Sequence, residues 1–375
     1  MASIKSRTGL RVWLFSCAFL VFAMVAVGGL TRLTRSGLSI VEWKPISGVI
    51  PPLNEEQWHR EFEKYKQYPE YKKVNHAMDL SEFKFIYAWE FVHRLLGRLI
   101  GLVFAIPLIV FAWQGKLRGA LAWKLWAALG LGGLQGFLGW YMVKSGLVDM
   151  PRVSHYRLAA HLLLALFIMG FLYWIYLDLG AQGRSSPPKT VATRAPALPR
   201  FRRWTRAFLA LLSLQIFYGA LTAGLHAGHM YNTFPLMHGQ LIPQGIGSLG
   251  PIRDFFESPV TVQFMHRSLG WLVFFGALGL GLAAWRSQGL SSLQRKSLFT
   301  LAGMALVQFA LGVATLLHAV PVGLGSLHQI GACVLLLLSI HAVYRFRTNQ
   351  EPVAATEAAA EAKPLISTMG SARAQ

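Results

Sequence analysis

Eight stretches of the chain are mostly apolar: roughly residues 10–31, 85–113, 119–143, 153–178, 205–226, 259–284, 295–319 and 321–344. A bilayer core about 30 Å thick needs about 20 such residues per helix, and each stretch supplies them. Ten-residue segments of alternating polarity are missing, and an open sheet would leave backbone groups unpaired in lipid. The pattern therefore predicts helices and not barrel strands. The expected fold is an all-α polytopic membrane protein, with eight transmembrane helices arranged as two pseudo-symmetric four-helix bundles.

The polar segments between these stretches set the expected orientation. Lys116, Arg118 and Lys124 surround the turn after the second stretch, Arg286, Arg295 and Lys296 lie between the sixth and seventh, and Arg345 and Arg347 follow the eighth. Lys5, Arg7 and Arg11 precede or open the first. With eight crossings all of these fall on one side, so both termini are expected to be cytoplasmic. The predicted organisation is an N-terminal bundle over 1–180 with a long outer loop at 32–84, a basic linker at 181–204, a C-terminal bundle over 205–348 and a disordered tail at 349–375. The outer loop carries Glu42, Glu55, Glu56, Glu61, Glu63, Glu70, Asp79 and Glu82 among its basic residues and reads as water-soluble and partly helical. The first apolar run is long enough to span, so no cleaved signal is expected, and a bacterial inner membrane is the simplest address.

Composition narrows the class. The 36 Lys and Arg exceed the 16 Asp and Glu by 20, a balance that would suit nucleic acid. A mean hydropathy of +0.43 and a charged fraction of 14%, against about 25% in soluble domains, argue against that partner. Cys17 and Cys333 both sit in apolar runs and cannot form a disulfide framework.

The two halves echo each other. Phe91-Val92-His93-Arg94 answers Phe264-Met265-His266-Arg267, and Gly29-Leu30-Thr31 answers Ala220-Leu221-Thr222. The spacing falls from 191 (Leu30 to Leu221) to 173 (His93 to His266), because the first loop is longer. His93, His161, His266 and His328 each fall about seven or eight residues into an even-numbered stretch, which places four imidazoles roughly 10–12 Å below one membrane face. Ionisable groups at such depth are costly and need partners. Neither HExxH nor paired cysteines occur, which disfavours zinc. Two isolated imidazoles per bundle suit the axial positions of a haem: His93 with His161, and His266 with His328. Hydrogen bonding inside the bundles without metal is the alternative.

Other residues carry weaker signals. His155 rivals His161, while His318 and His341 sit at or near span ends, and His226, His229 and His238 cluster in one interfacial loop. Glu90 precedes His93 by one helical turn, whereas its counterpart before His266 is Gln263, which cannot ionise. That asymmetry suggests chemistry in the first half and electron storage in the second, against a simple ion pair of Glu90 with Arg94 or Lys84. Arg94, Arg98 and Arg267 near the outer boundary are placed to neutralise haem propionates, with ordinary snorkelling an equal alternative for Arg98.

Several segments taken together resemble the haem A synthase family. They are Glu82-Phe83-Lys84-Phe85-Ile86 with Trp89-Glu90-Phe91-Val92-His93-Arg94, Gly29-Leu30-Thr31-Arg32-Leu33-Thr34, Asp149-Met150-Pro151-Arg152, Tyr156-Arg157-Leu158-Ala159-Ala160-His161, Tyr231-Asn232-Thr233-Phe234-Pro235 and His328-Gln329. The likeness covers about residues 10–345. It implies eight helices in two similar bundles and oxidation of a methyl group of haem O to the formyl group of haem A. It further implies haem b held by His266 and His328, His93 and His161 at the substrate haem, and Glu90 as catalytic carboxylate. The match around His161 selects it over His155. The branch with a cysteine pair in the outer loops is not the one resembled. Implied partners are haem O, the lipid bilayer, haem O synthase and cytochrome oxidase assembly factors, and a homo-oligomer is compatible. The competing readings are a di-haem electron-transfer cytochrome b and a repeat-built transporter.

Overall fold

The computed structural model describes residues 4–44, 47–146, 153–181 and 198–347, and every regular element among them is helical. In chain order the α-helices are α1 (Ile4–Leu33), α2 (Glu55–Lys66), α3 (Pro69–Lys73), α4 (Leu80–Trp113), α5 (Gly119–Gly146) and α6 (His155–Ala181). They continue with α7 (Leu198–Gly224), α8 (Asp254–Glu257), α9 (Pro259–Arg286), α10 (Ser292–Leu317) and α11 (Val322–Arg345). The eight long ones fall on the eight predicted stretches. Seven are long and apolar enough to cross a membrane. The remaining one, α5, has the length, but Gly130, Gly132, Gly133, Gly136 and Gly139 with Gln135 dilute its apolar character. The expected tail, residues 182–197 of the basic linker and the Asp149–Arg152 motif lie outside the described residues.

Helix starts follow side-chain capping. Asp79 accepts from the Glu82 N–H at 2.8 Å while the Glu82 carboxylate accepts from the Asp79 N–H at 3.1 Å, a reciprocal box that starts α4 five residues before the apolar run. Ser291 and Gln294 form the same box at α10, and Ser258 caps α9 ahead of Pro259.

The long helices make a closed set of contacts. Helix α1 packs on α4 and α6, and α5 on α4 and α6; α7 packs on α9 and α11, and α10 on α9 and α11. The sets meet where α6 touches α7 and α11 and where α1 touches α11. The main core draws on all eight, through Leu14 and Cys17, Leu108, Leu125, Met169, Leu212, Ala277, Leu298 and Cys333. On α4, α6, α9 and α11 these core positions lie beyond the histidines in sequence, so the tight packing occupies one end of the helices and the imidazoles the other. Phe15, Phe19, Leu102, Trp123 and Phe275 point outward and are more than half exposed, as lipid-facing side chains are. Association among such helices rests on close packing and interhelical hydrogen bonds, since lipid tails are as apolar as leucine.

The loop between α1 and α4 is partly helical, as expected, and has its own core. Phe62 stacks on Phe83 at 5.0 Å, Tyr65 stacks on Phe83 at 5.3 Å, and Trp58 meets Tyr87 edge-on at 5.1 Å. Glu70 is buried against this cluster, accepting from the Tyr65 hydroxyl at 3.2 Å, while Asn75 donates to that hydroxyl at 2.7 Å. Burial pushes the Glu70 carboxyl up to about 7; the charge of Glu90 adds to the rise, and Tyr65 and Arg35 oppose it. An acid with a raised folded pKa favours the folded cap most below its ordinary value of 4.5, and this advantage is lost as pH climbs through about 7. The full loss is of the order of 3 kcal/mol. Glu70→Gln should therefore slow proteolysis of the cap at pH 8 and leave it unchanged at pH 4.5. Equal protection at both pH values would show that Glu70 does not titrate in this range.

Candidate functional site

Four histidines on α4, α6, α9 and α11 rest on four glycines of neighbouring helices. A Cβ added at Gly28 would lie 3.1 Å from His93 Nε2. One at Gly139 would lie 3.0 Å from His161 Cε1, one at Gly219 3.0 Å from His266 Cε1, and one at Gly312 2.9 Å from His328 Cε1. Any larger residue would push the ring, so glycine is what lets each imidazole lie against the adjacent backbone. The seats obey the repeat: Gly28 and Gly219 differ by 191, as Leu30 and Leu221 do, and Gly139 and Gly312 by 173, as His93 and His266 do.

Two glutamines hold two of the rings from behind. Gln308 Nε2 donates to the His328 carbonyl at 2.8 Å and lies 3.1 Å from His328 Nδ1. Gln135, its counterpart at a spacing of 173, contacts the His161 carbonyl at 3.0 Å and His161 Nε2 at 3.3 Å. Such contacts fix ring orientation around a metal ligand. The His161 Nδ1 atom is buried with no hydrogen-bond partner. In the second half, the rings of His266 and His328 stand edge-on to each other, with centroids 6.4 Å apart and planes at 86°. A metal bound to two imidazole nitrogens at about 2 Å each separates the ring centroids by roughly 6 Å, and the spacing of this pair is compatible with that. All four histidines are half-buried.

Glu90, on α4, is 2% exposed and receives three donors. The Ser39 hydroxyl and the Ile40 N–H both reach Oε2 at 2.7 Å, and Arg94 Nη2 reaches Oε1 at 2.6 Å. Arg94 also donates to the carbonyls of Ile40 at 2.8 Å and Glu42 at 3.2 Å. The second half repeats the arrangement with one change. Arg267 donates to the carbonyls of Tyr231 at 2.8 Å and Thr233 at 2.6 Å, and Tyr231 and Thr233 stand 191 residues after Ile40 and Glu42. Gln263, in place of Glu90, turns its amide to the Tyr231 carbonyl at 3.1 Å. In each half, then, an arginine beside a histidine clamps the loop that follows the preceding helix, and only the first half holds a carboxylate there.

The arginines differ in what they have left to offer. Arg267 keeps buried Nε and Nη1 atoms without partners, whereas Arg94 is engaged by Glu90 and two carbonyls. Lys84 pairs with Glu55 at 2.7 Å and not with Glu90. Arg98 donates to the Lys44 carbonyl at 3.0 Å and, with Arg94, lines a cavity of about 480 Å³ under the α1–α4 loop.

The remaining histidines separate cleanly from the four. His155 opens α6 and packs against Gly224 and the Tyr156 ring. His341 is bonded on both nitrogens, to the Tyr173 hydroxyl at 2.9 Å and Arg345 Nε at 3.0 Å. His318 caps α10, with Nδ1 2.9 Å from the Ala314 carbonyl, and His238 lies edge-on to Tyr231 at 4.8 Å. His226 precedes a single 3-10 turn, Ala227–His229, which His229 closes. Among the described residues no three His, Cys, Asp or Glu side chains gather as a metal site.

Seven helices long and apolar enough to span, carrying imidazoles seated against glycines of neighbouring helices, define a multi-pass membrane protein. Residues 11–340 match the COX15-CtaA family, described as cytochrome oxidase assembly protein. The chain is 46% identical over 334 residues to a heme A synthase of Paramagnetospirillum magneticum, covering 89% of this chain and 92% of that protein. It is 45% identical over 332 residues to one of Nitrosomonas eutropha, covering 88% and 92%, and 44% identical over 347 residues to one of a Caulobacter species, covering 92% and 98%. This chain belongs to the haem A synthase family.

Proposed function

We propose that the chain is itself a haem A synthase, oxidising the methyl group of haem O to the formyl group of haem A by successive hydroxylations in a multi-pass membrane protein. The observation that carries this reading is the single break in the repeat: a buried carboxylate, Glu90, beside His93, and an amide, Gln263, beside His266. A protein that only passed electrons between two equivalent haems would have no use for that difference.

The eight helices are read as two four-helix bundles, 1–180 and 205–348, with the α1–α4 loop outside and both termini in the cytoplasm of a bacterial inner membrane. His266 and His328 would hold haem b, whose iron supplies one-electron chemistry. The 6.4 Å ring separation and the Gln308 brace support that assignment. His93 and His161 would face the substrate haem, and the unpartnered His161 Nδ1 supports a ligand role there. The free Arg267 donors suit a haem propionate; Arg94 is better read as the residue that holds Glu90 and the loop.

Oxidation of a haem methyl develops positive charge on the carbon next to the ring. Glu90 supplies negative charge and a proton acceptor in a site shielded from water. Ser39, the Ile40 N–H and Arg94 fix the carboxylate on three sides, so little reorganisation is needed when that charge appears. Haem O as substrate explains why the site lies within the membrane-spanning helices. Haem O synthase and cytochrome oxidase assembly factors are the protein partners that membership of this family suggests.

The test is conversion. Expressed in a host that makes haem O but lacks its own haem A synthase, the protein should cause haem A to appear in extracted pigment. If the protein binds haem but the extracted pigment stays haem O and haem b, the di-haem electron-transfer reading replaces this one.

A further inference from the structure

Each half of the chain packs its last long helix against the first helix of the other half, α6 on α7 and α11 on α1. The two seams begin at equivalent residues, the neighbours of the α6 and α11 histidines, but differ in chemistry. Leu162, next to His161, packs into an apolar cluster with Ala220 and Leu221 of α7. Gly219, adjacent to Ala220, is the seat of His266.

Gln329, next to His328, takes the corresponding place in the other seam. Its Nε2 donates to the Val25 carbonyl of α1 at 2.6 Å. The amide lies against Gly29, where a Cβ would fall 2.7 Å from Nε2. Gly29 is the counterpart of Ala220 at the 191-residue spacing, so the first half omits a methyl group at the place where the amide enters. The preceding residue, Gly28, is the seat of His93. A second tie crosses the halves nearby, from the Arg32 guanidinium to the Ala223 carbonyl.

We propose that Gln329 is a positioning residue that couples the two histidine pairs. Its side chain joins the helix carrying His328 to the stretch of α1 against which His93 rests. Close-packed interiors transmit displacement, and here the links are the Gln329–Val25 hydrogen bond and the seating of Gln329 and His93 on Gly29 and Gly28, where there is no room for a methyl group. A shift of α11 at His328 therefore reaches the His93 ring through Gln329, Val25 and Gly28. At the equivalent place in the other seam Leu162 offers only apolar contact and no hydrogen bond. The inference rests on the two-haem reading above.

The test uses the full-length protein in nanodiscs loaded with haem b, read by the ferric low-spin electron paramagnetic resonance signals, which follow the orientation of the axial imidazoles. His93→Ala and His266→Ala assign one signal to each pair. Gln329→Met keeps the bulk and removes the donor. It should move the signal of the distant His93/His161 pair as well as that of its neighbour His328. Leu162→Met should leave the His266/His328 signal where it was. A shift confined to the His266/His328 signal, or none, overturns the coupling while leaving the two-haem reading intact. A wild-type protein without two histidine-dependent signals overturns both. If Gln329→Met does not fold, Gly29→Ala displaces the amide without altering it, and the same cross-site shift is expected; its absence overturns the coupling.

Discussion

Replacing His266 or His328 with leucine should abolish the low-spin b-type spectrum of the purified protein, lowering bound pigment by more than about tenfold, since loss of contacts outside the ligand set alone costs 10–100-fold in metal affinity. The two ring centroids lie 6.4 Å apart, so removing either leaves the other without its neighbouring imidazole. Leucine fills much of the vacated volume, and fold loss is therefore a small part of the effect. Gly312→Ala offers a graded comparison. Its new methyl would lie 2.9 Å from His328 Cε1 and tilt the ring without deleting it, which should weaken and shift the spectrum. Reduced-minus-oxidised difference spectra of the purified variants measure both. An unchanged spectrum in His266→Leu and in His328→Leu would remove the ligation assignment.

The histidines were legible because an ionisable ring in an apolar run has few inexpensive explanations, and four at matched depth in a duplicated frame have fewer still. Their seats were not. A glycine in a membrane helix is common, and among 36 glycines nothing in the string distinguishes Gly28, Gly139, Gly219 and Gly312. Only the 191 and 173 spacings could have found them, by asking which glycines recur with the histidines. The loop clamps were hidden for a different reason: Arg94 and Arg267 grip main-chain carbonyls, which have no residue signature. Hydropathy placed the start of α4 at Phe85, because the first turn is polar and is fixed by the Asp79–Glu82 box. The ion-pair alternative for Glu90 proved correct in part: Arg94 is its partner, and Lys84 is not. Being paired does not make Glu90 inert, since the same three donors that anchor it also fix where its charge stands.

Glu90→Gln should leave haem bound and reduce haem A formation by at least about 100-fold, the scale of a positioned proton acceptor. The substitution converts the first half to the composition of the second, where Gln263 already occupies the equivalent place. The amide oxygen can still accept from Ser39 and Ile40, but its NH2 group meets the Arg94 donors and carries no charge to balance a developing cation. Alanine is the poorer probe. The Arg94 and Glu90 side chains are 9% and 3% exposed, and deleting the acid strands a buried guanidinium at a cost of about 3–5 kcal/mol. Ser39→Ala removes one donor of the three and should cost less, on the order of tenfold, because the carboxylate keeps its charge and loses only part of its alignment. Quantifying haem O and haem A in extracts, alongside the bound-haem spectrum, separates lost chemistry from lost binding. If Glu90→Gln still accumulates haem A at the normal rate, the carboxylate is a structural anchor for the loop, and the difference between the halves needs another explanation.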